Sequence, residues 1–195
     1  MKGIYEDQVT SVEALRQLIG VPNEAVVKKS IAQMDDHIRN YLNKSPLFFL
    51  STANAEGHCD VSPRGDAPGS VHVLDDHRLI YAERPGNKRI DSLLNILSNP
   101  QVGMLFIIPG QEQVLRINGK AWITQNQELL KPLQWNGTVP KLGVIVEVQE
   151  AFVHCPRALK QAGIWDKETW LPENELPSIQ EMFQAHLKIN GMTLK

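Results

Sequence analysis

The sequence predicts a mainly β, antiparallel barrel carrying peripheral helices. Three observations predict it. About six short apolar or alternating runs recur between residues 46 and 148, most of them bounded by Gly, Pro, Asn or Asp. One helical stripe interrupts them, near residues 87–99. The other helical patterns gather at the two ends of the chain. The 195 residues therefore divide into an N-terminal helical extension (1–45), a barrel core (46–155) and a C-terminal helical segment (156–195) packing on the same domain.

Thr10 or Ser11 caps a first helix holding Val12, Leu15 and Ile19, which Gly20 and Pro22 stop. A second helix is expected from Ser30 or Ile31 to about Leu42, with Ile31, Met34, Ile38, Tyr41 and Leu42 on its apolar face. Pro46–Thr52 reads as a buried strand, and Asn54-Ala55-Glu56-Gly57 as a turn. Extended segments follow at His58–Pro63, Ser70–Leu74 and Arg78–Ala82. Asn87 is a good N-cap for a helix with Ile90, Leu93, Leu94 and Leu97 as its stripe, ended by Asn99-Pro100. Val102–Ile108 and Leu142–Val148 are buried-type strands, and a long strand, Val114–Thr124, alternates between them. One face of that strand is apolar (Leu115, Ile117, Gly119, Ala121, Ile123). The other carries Arg116, Asn118, Lys120 and Trp122, as a ligand site, a polar subunit interface or a solvated surface would. Helices near Pro156–Ala162 and Ser178–Ile189 close the chain.

Composition limits the function classes. A net charge of -2 gives no general attraction to nucleic acid or anionic membranes, so an anion site has to be local. No apolar run is long enough to span a bilayer and the start lacks a signal-peptide core, from which a cytoplasmic location is expected. Cys59 and Cys155 are far apart, so no disulfide framework is expected, and no metal site either. Cys155 is read as a small buried residue ahead of Pro156, or as a reactive thiol if its pKa is depressed.

Two cationic constellations stand out. Lys88 and Arg89 fall in the first turn of the helix expected after Asn87, where the helix dipole disfavours positive charge by up to about 1 kcal/mol each. An anion such as phosphate would reverse that penalty; otherwise the two side chains are simply solvated. Arg64 sits on a Gly- and Pro-fixed path, Asp60-Val61-Ser62-Pro63-Arg64-Gly65-Asp66-Ala67-Pro68-Gly69. Its fork suits phosphate, or it forms a surface pair with Asp66.

Taken together, Asp60–Asp66, Arg84-Pro85-Gly86-Asn87-Lys88-Arg89-Ile90-Asp91-Ser92, Asn99–Phe106, Leu115–Ala121, Phe152–Leu159 and Trp165-Asp166 resemble the pyridoxamine phosphate oxidase-like FMN-binding split-barrel family. More narrowly they resemble a bacterial subfamily of FMN-dependent flavoproteins. The likeness spans roughly residues 30–170. It implies a Greek-key split barrel, a homodimer, and FMN at the subunit interface. By that likeness Arg64 approaches the flavin. Asn87, Lys88 and Arg89 hold the phosphate at the helix start, and Tyr81 lies along the ribityl chain. Arg116 reaches the cofactor of its own or the partner subunit. Trp165 borders the isoalloxazine ring, or is a core or interface tryptophan. The true oxidases end in an Arg-rich substrate signature, whereas this sequence ends Lys188-Ile189-Asn190-Gly191-Met192-Thr193-Leu194-Lys195, so pyridoxamine phosphate oxidation is not expected of it.

The function expected is therefore an FMN-dependent oxidoreductase of a small molecule, in which the flavin carries the electrons and no side chain need be an essential acid or base. A non-catalytic flavin-binding module, or a barrel holding haem or a deazaflavin, are the alternatives.

Overall fold

The computed structural model describes Gly3 and residues 6–192. The readings of the first residues and of the chain's ending fall partly on positions outside the described residues. Contacts divide the chain into two compact units, residues 1–156 and 157–195.

The first unit opens with α1 (Val12–Ile19), capped by the Ser11 hydroxyl and stopped by Gly20 as the sequence predicts. A short α2 (Glu24–Lys28), capped by Asn23, is an addition to the prediction. The next helix is shorter than expected: α3 runs only Asp36–Leu42, because Asp35 accepts from the Ile38 N–H and starts it there. Ile31 is not helical; it exchanges two backbone hydrogen bonds with Ala151.

Among the described residues seven strands, one at each expected segment, form one antiparallel sheet: β1 (Leu47–Ala53), β2 (Cys59–Gly65), β3 (His72–Val73), β4 (Arg78–Glu83), β5 (Gln101–Ile107), β6 (Val114–Thr124) and β7 (Leu142–His154), in the order β2-β1-β5-β6-β7-β4-β3. Alternation on β6 sends Leu115, Ile117, Gly119 and Ala121 inward, where they meet Phe48 and Leu50, Met104 and Phe106, Val144 and Val146, and Leu79 and Tyr81. A bulge between Asn118 and Gly119 bends the β6–β7 pair. A Cβ on Gly119 would stand 2.0 Å from the Glu147 carbonyl oxygen, so only glycine fits there. α5 (Gln127–Leu130) and the turn after it place Leu130 and Leu133 over Ile80, on the outer side of the sheet.

The helix inside the barrel sequence, α4, spans Asp91–Ser98 and so starts later than expected. Asn87 does not cap it. The Asn87 side chain instead accepts from the Arg89 N–H in a local turn, and Lys88 and Ile90 both take left-handed backbone angles (φ 66° and 53°). Lys88 and Arg89 therefore precede the helix rather than occupying its first turn. The buried face of α4 is Ser92, Leu93 and Ile96, while Ile90, Leu94 and Leu97 are exposed.

The second unit holds α6 (Arg157–Gln161) and α7 (Ile179–Ile189), the latter capped by Ser178. Among the described residues no helix is long and apolar enough to cross a membrane.

Candidate functional site

β2 and β4 are not hydrogen-bonded to one another. The sheet nevertheless brings them face to face, because Arg64 of β2 reaches Glu83 of β4 (Nη1 to Oε1, 3.1 Å). Further along both segments, Arg84 Nε meets Asp66 Oδ2 at 2.7 Å. Two crossed ion pairs thus span a seam that no backbone ladder closes. The surface pairing of Arg64 with Asp66, one of the two readings of that loop, is replaced by these cross-seam partners.

A cleft of about 1000 Å³ opens along the seam. Its walls are the Ser62–Arg64 end of β2, the whole of Glu83–Leu93, and the segment Trp135–Leu142 that leads into β7. The volume lies at the upper end of the range usual for small-molecule sites, about 300–1,000 Å³. Five cationic side chains line it (Arg64, Arg84, Lys88, Arg89, Lys141) against two carboxylates, Glu83 and Asp91. Arg64 and Arg84 are neutralised across the seam. Arg89 is paired with Asp91 (2.9 Å), whose carboxylate raises the guanidinium pKa above its ordinary value. Lys88 and Lys141 have no carboxylate partner among the described residues. The start of α4 is less open to an anion than the sequence suggests, because Asp91 already supplies a carboxylate to its first turn and Ser92 is tied to Asp60 (2.7 Å). The free positive charge lies on Lys88, in the loop before the helix, and on Lys141, in the segment leading into β7.

A smaller chamber of about 210 Å³ adjoins the cleft and shares Pro63, Arg64, Arg84, Pro85 and Gly86 with it. Phe48 and Tyr81 form its floor, their rings edge to face with centroids 5.1 Å apart. Tyr81 is 3% exposed, and burial raises the pKa of its phenol well above the ordinary value. Three buried polar atoms here make no hydrogen bond to the protein: Arg64 Nε, Tyr81 Oη and Glu83 Oε2.

The structure therefore brings Arg64, Asn87, Lys88 and Arg89 together around the cleft and Tyr81 into the adjoining chamber. Arg116 lies elsewhere, on the outer face of β6, where its guanidinium covers the Phe152 ring (5.4 Å) and donates to Asn118 Oδ1 (3.3 Å). Trp165 belongs to the second unit. Cys155, expected to be buried, is exposed. The Trp135 wall was not foreseen. Its signal is Asn136-Gly137: both take positive φ (47° and 75°), and Trp135 and Thr138 exchange backbone hydrogen bonds around them, as in a tight two-residue hairpin turn. Glu83, too, gave no signal in the sequence.

Residues 34–159 match the family described as Pyridoxamine 5'-phosphate oxidase. Among solved structures, HupZ from Group A Streptococcus is 24% identical, covering 61% of this chain and 92% of its own, with a TM-score of 0.50. A point variant of the same HupZ gives 22% identity, 62% and 99% coverage and a TM-score of 0.51. A structure from Lactobacillus delbrueckii, described as a putative pyridoxamine 5'-phosphate oxidase, gives 22% identity, 63% and 95% coverage and a TM-score of 0.49. At these identities the likeness to HupZ speaks for the fold alone. A search of curated proteins gives no match.

Proposed function

Because the chain belongs to the pyridoxamine 5'-phosphate oxidase family, we propose that it is an FMN-binding flavoprotein, and specifically an FMN-dependent oxidoreductase of a small molecule. One observation carries the reading. The seam cleft and the chamber adjoining it join unpaired cationic charge at Lys88 to a buried, incompletely hydrogen-bonded polar group at Arg64, Tyr81 and Glu83. A ligand suited to it has an anionic end and a ring with polar edges, and FMN has both. Lys88, with Asn87 and Arg89 beside it, would hold the phosphate. Arg64 and Tyr81 would meet the polar part of the cofactor, and the Trp135 wall would exclude water.

Bound FMN would supply the electron transfer itself. The chain's part is to bind, orient and shield it. In this reading the protein is cytoplasmic and a homodimer, paired through the outer face of β1, β2 and β6, where Phe49, Val61 and Trp122 are exposed on the same face as Arg116. Arg116 then reaches a cofactor held by the partner.

The test is a visible spectrum of the purified protein followed by titration with FMN and riboflavin. A flavin spectrum, or FMN binding at micromolar levels with riboflavin at least tenfold weaker, is the expected result. Failure of FMN to bind overturns the reading. Equal affinities remove Lys88 from the phosphate site. A Soret band on titration with haem, or tight binding of a deazaflavin with FMN weak, would transfer the cleft to that cofactor. FMN binding without turnover of nicotinamide cofactors or common acceptors would favour a carrier or sensor.

A further inference from the structure

The three orphaned atoms at the seam are not interchangeable. Arg64 Nε carries a proton to donate, Glu83 Oε2 is a carboxylate oxygen and only accepts, and Tyr81 Oη has a proton to donate. All three are buried, and buried polar groups in folded proteins are almost always paired. Arg64 and Glu83 use one atom each on one another, Nη1 and Oε1, and so each turns out one further atom. Tyr81 stands two residues before Glu83 on β4, hence on the same face of the strand. Arg64 borders both cavities, Glu83 the cleft, and Tyr81 the chamber, so the set sits where the two meet.

The ion pair also sets the charge at this point. Arg64 is matched by Glu83, and Arg84 by Asp66, so a second anion gains little here. What the orphans lack is a neutral group offering acceptor, donor and acceptor. We propose that Arg64, Glu83 and Tyr81 read the imide edge, CO–NH–CO, of a ring ligand. Arg64 and Tyr81 donate to its two carbonyls, and Glu83 accepts from the N–H between them. The proposal rests on the flavin reading above and deepens it, because isoalloxazine and deazaflavin rings both carry that edge. Haem does not. The same three atoms therefore favour a flavin-type ring over a porphyrin, while Lys88 favours a phosphate on its tail.

The experiment measures dissociation constants of the purified full chain for FMN, 5-deaza-FMN and their N3-methyl derivatives, by fluorescence or calorimetry. N3-methylation removes the donor and adds bulk facing Glu83, and is expected to weaken binding of both rings at least tenfold. Tyr81→Phe keeps the ring packed on Phe48 and is expected to weaken the unmethylated ligands three- to tenfold. In Glu83→Gln the side-chain amide can still accept, so this variant should retain most of the discrimination. In Glu83→Ala the methylation penalty should shrink to less than twofold. Circular dichroism of each variant establishes that it is folded, and Tyr81→Phe carries the test alone if Glu83→Ala is not.

Tight FMN binding with no methylation penalty and no effect of Tyr81→Phe overturns the proposal while leaving the flavin reading intact; the orphans then hold ordered water only. Binding of 5-deaza-FMN but not FMN, with the penalty present, sinks FMN as the cofactor and keeps the imide assignment. If neither ring binds, both fall.

Discussion

The β6–β7 wall and the β2–β4 seam are built on opposite terms. β6 and β7 are paired along the full length of β6, interrupted by one bulge, and their inward side chains are apolar and buried. Across the seam there is no ladder. Side-chain charges span the gap, three polar atoms are left without partners, and the loop beside it holds Lys88 and Ile90 in left-handed angles. The first region follows the local rules of folding throughout, and the second departs from several of them within some thirty residues. Departures of this kind are expected where a protein gives up stability for function. The cleft lies where the backbone ladder of the sheet is interrupted.

The wall is where one substitution should do most damage. Gly119→Ala places a methyl group against the Glu147 carbonyl, where only backbone could move, and should cost on the order of 3 kcal/mol or more, read as a fall in the urea midpoint. On the seam, Glu83→Ala strands a guanidinium. Its side chain is 24% exposed and that of Glu83 15%, so the loss should be about 2 kcal/mol, less than for a fully buried pair. The double change Arg64→Ala/Glu83→Ala should recover part of it, and a double-mutant cycle measures the coupling.

Lys88→Ala addresses the functional side of the contrast. The side chain is exposed and unpaired, so stability should move by less than about 0.5 kcal/mol. FMN affinity should fall roughly tenfold, about 1.4 kcal/mol, with riboflavin affinity unchanged. Ile90→Gly should act the other way. It relieves a β-branched residue of a left-handed angle at a half-exposed position, and should raise the melting temperature by the equivalent of up to about 1 kcal/mol.

The smallest effect is in pH. Burial holds the Tyr81 phenol protonated in the folded chain, raising its pKa above the unfolded value near 10. The unfolded chain therefore loses this proton first as pH rises. Tyr81 contributes its full stability below about pH 10 and loses it progressively above, and Tyr81→Phe should flatten that part of a stability profile.

How far the sequence could be read divides along the same line. The bounds of β6 follow from alternation alone, and the cap at Ser11, one of the two candidates offered, from side-chain chemistry, because in each case the local signal and the observed structure agree. Asn87 misled for a physical reason. A side-chain oxygen accepting from the N–H two residues on is the hydrogen bond of an N-cap and equally of an isolated turn, and only the left-handed Ile90 tells them apart. Ile31 and Met34 fit a helical spacing, yet Ala151, distant in sequence, recruits Ile31 to a strand-like bridge. The Glu83 and Asp66 partners lie nineteen and eighteen residues from the arginines they meet, and no local pattern encodes such a crossing.

The crossed pairs have one more consequence. Along β2 and its exit the charges run plus, then minus; along β4 and its exit they run minus, then plus. Slipping one edge past the other by a single residue would set Arg64 toward Arg84. The two edges of the seam thus carry a charge pattern that favours one alignment and repels its nearest neighbour, so their register is set by side-chain charge rather than by a shared backbone ladder.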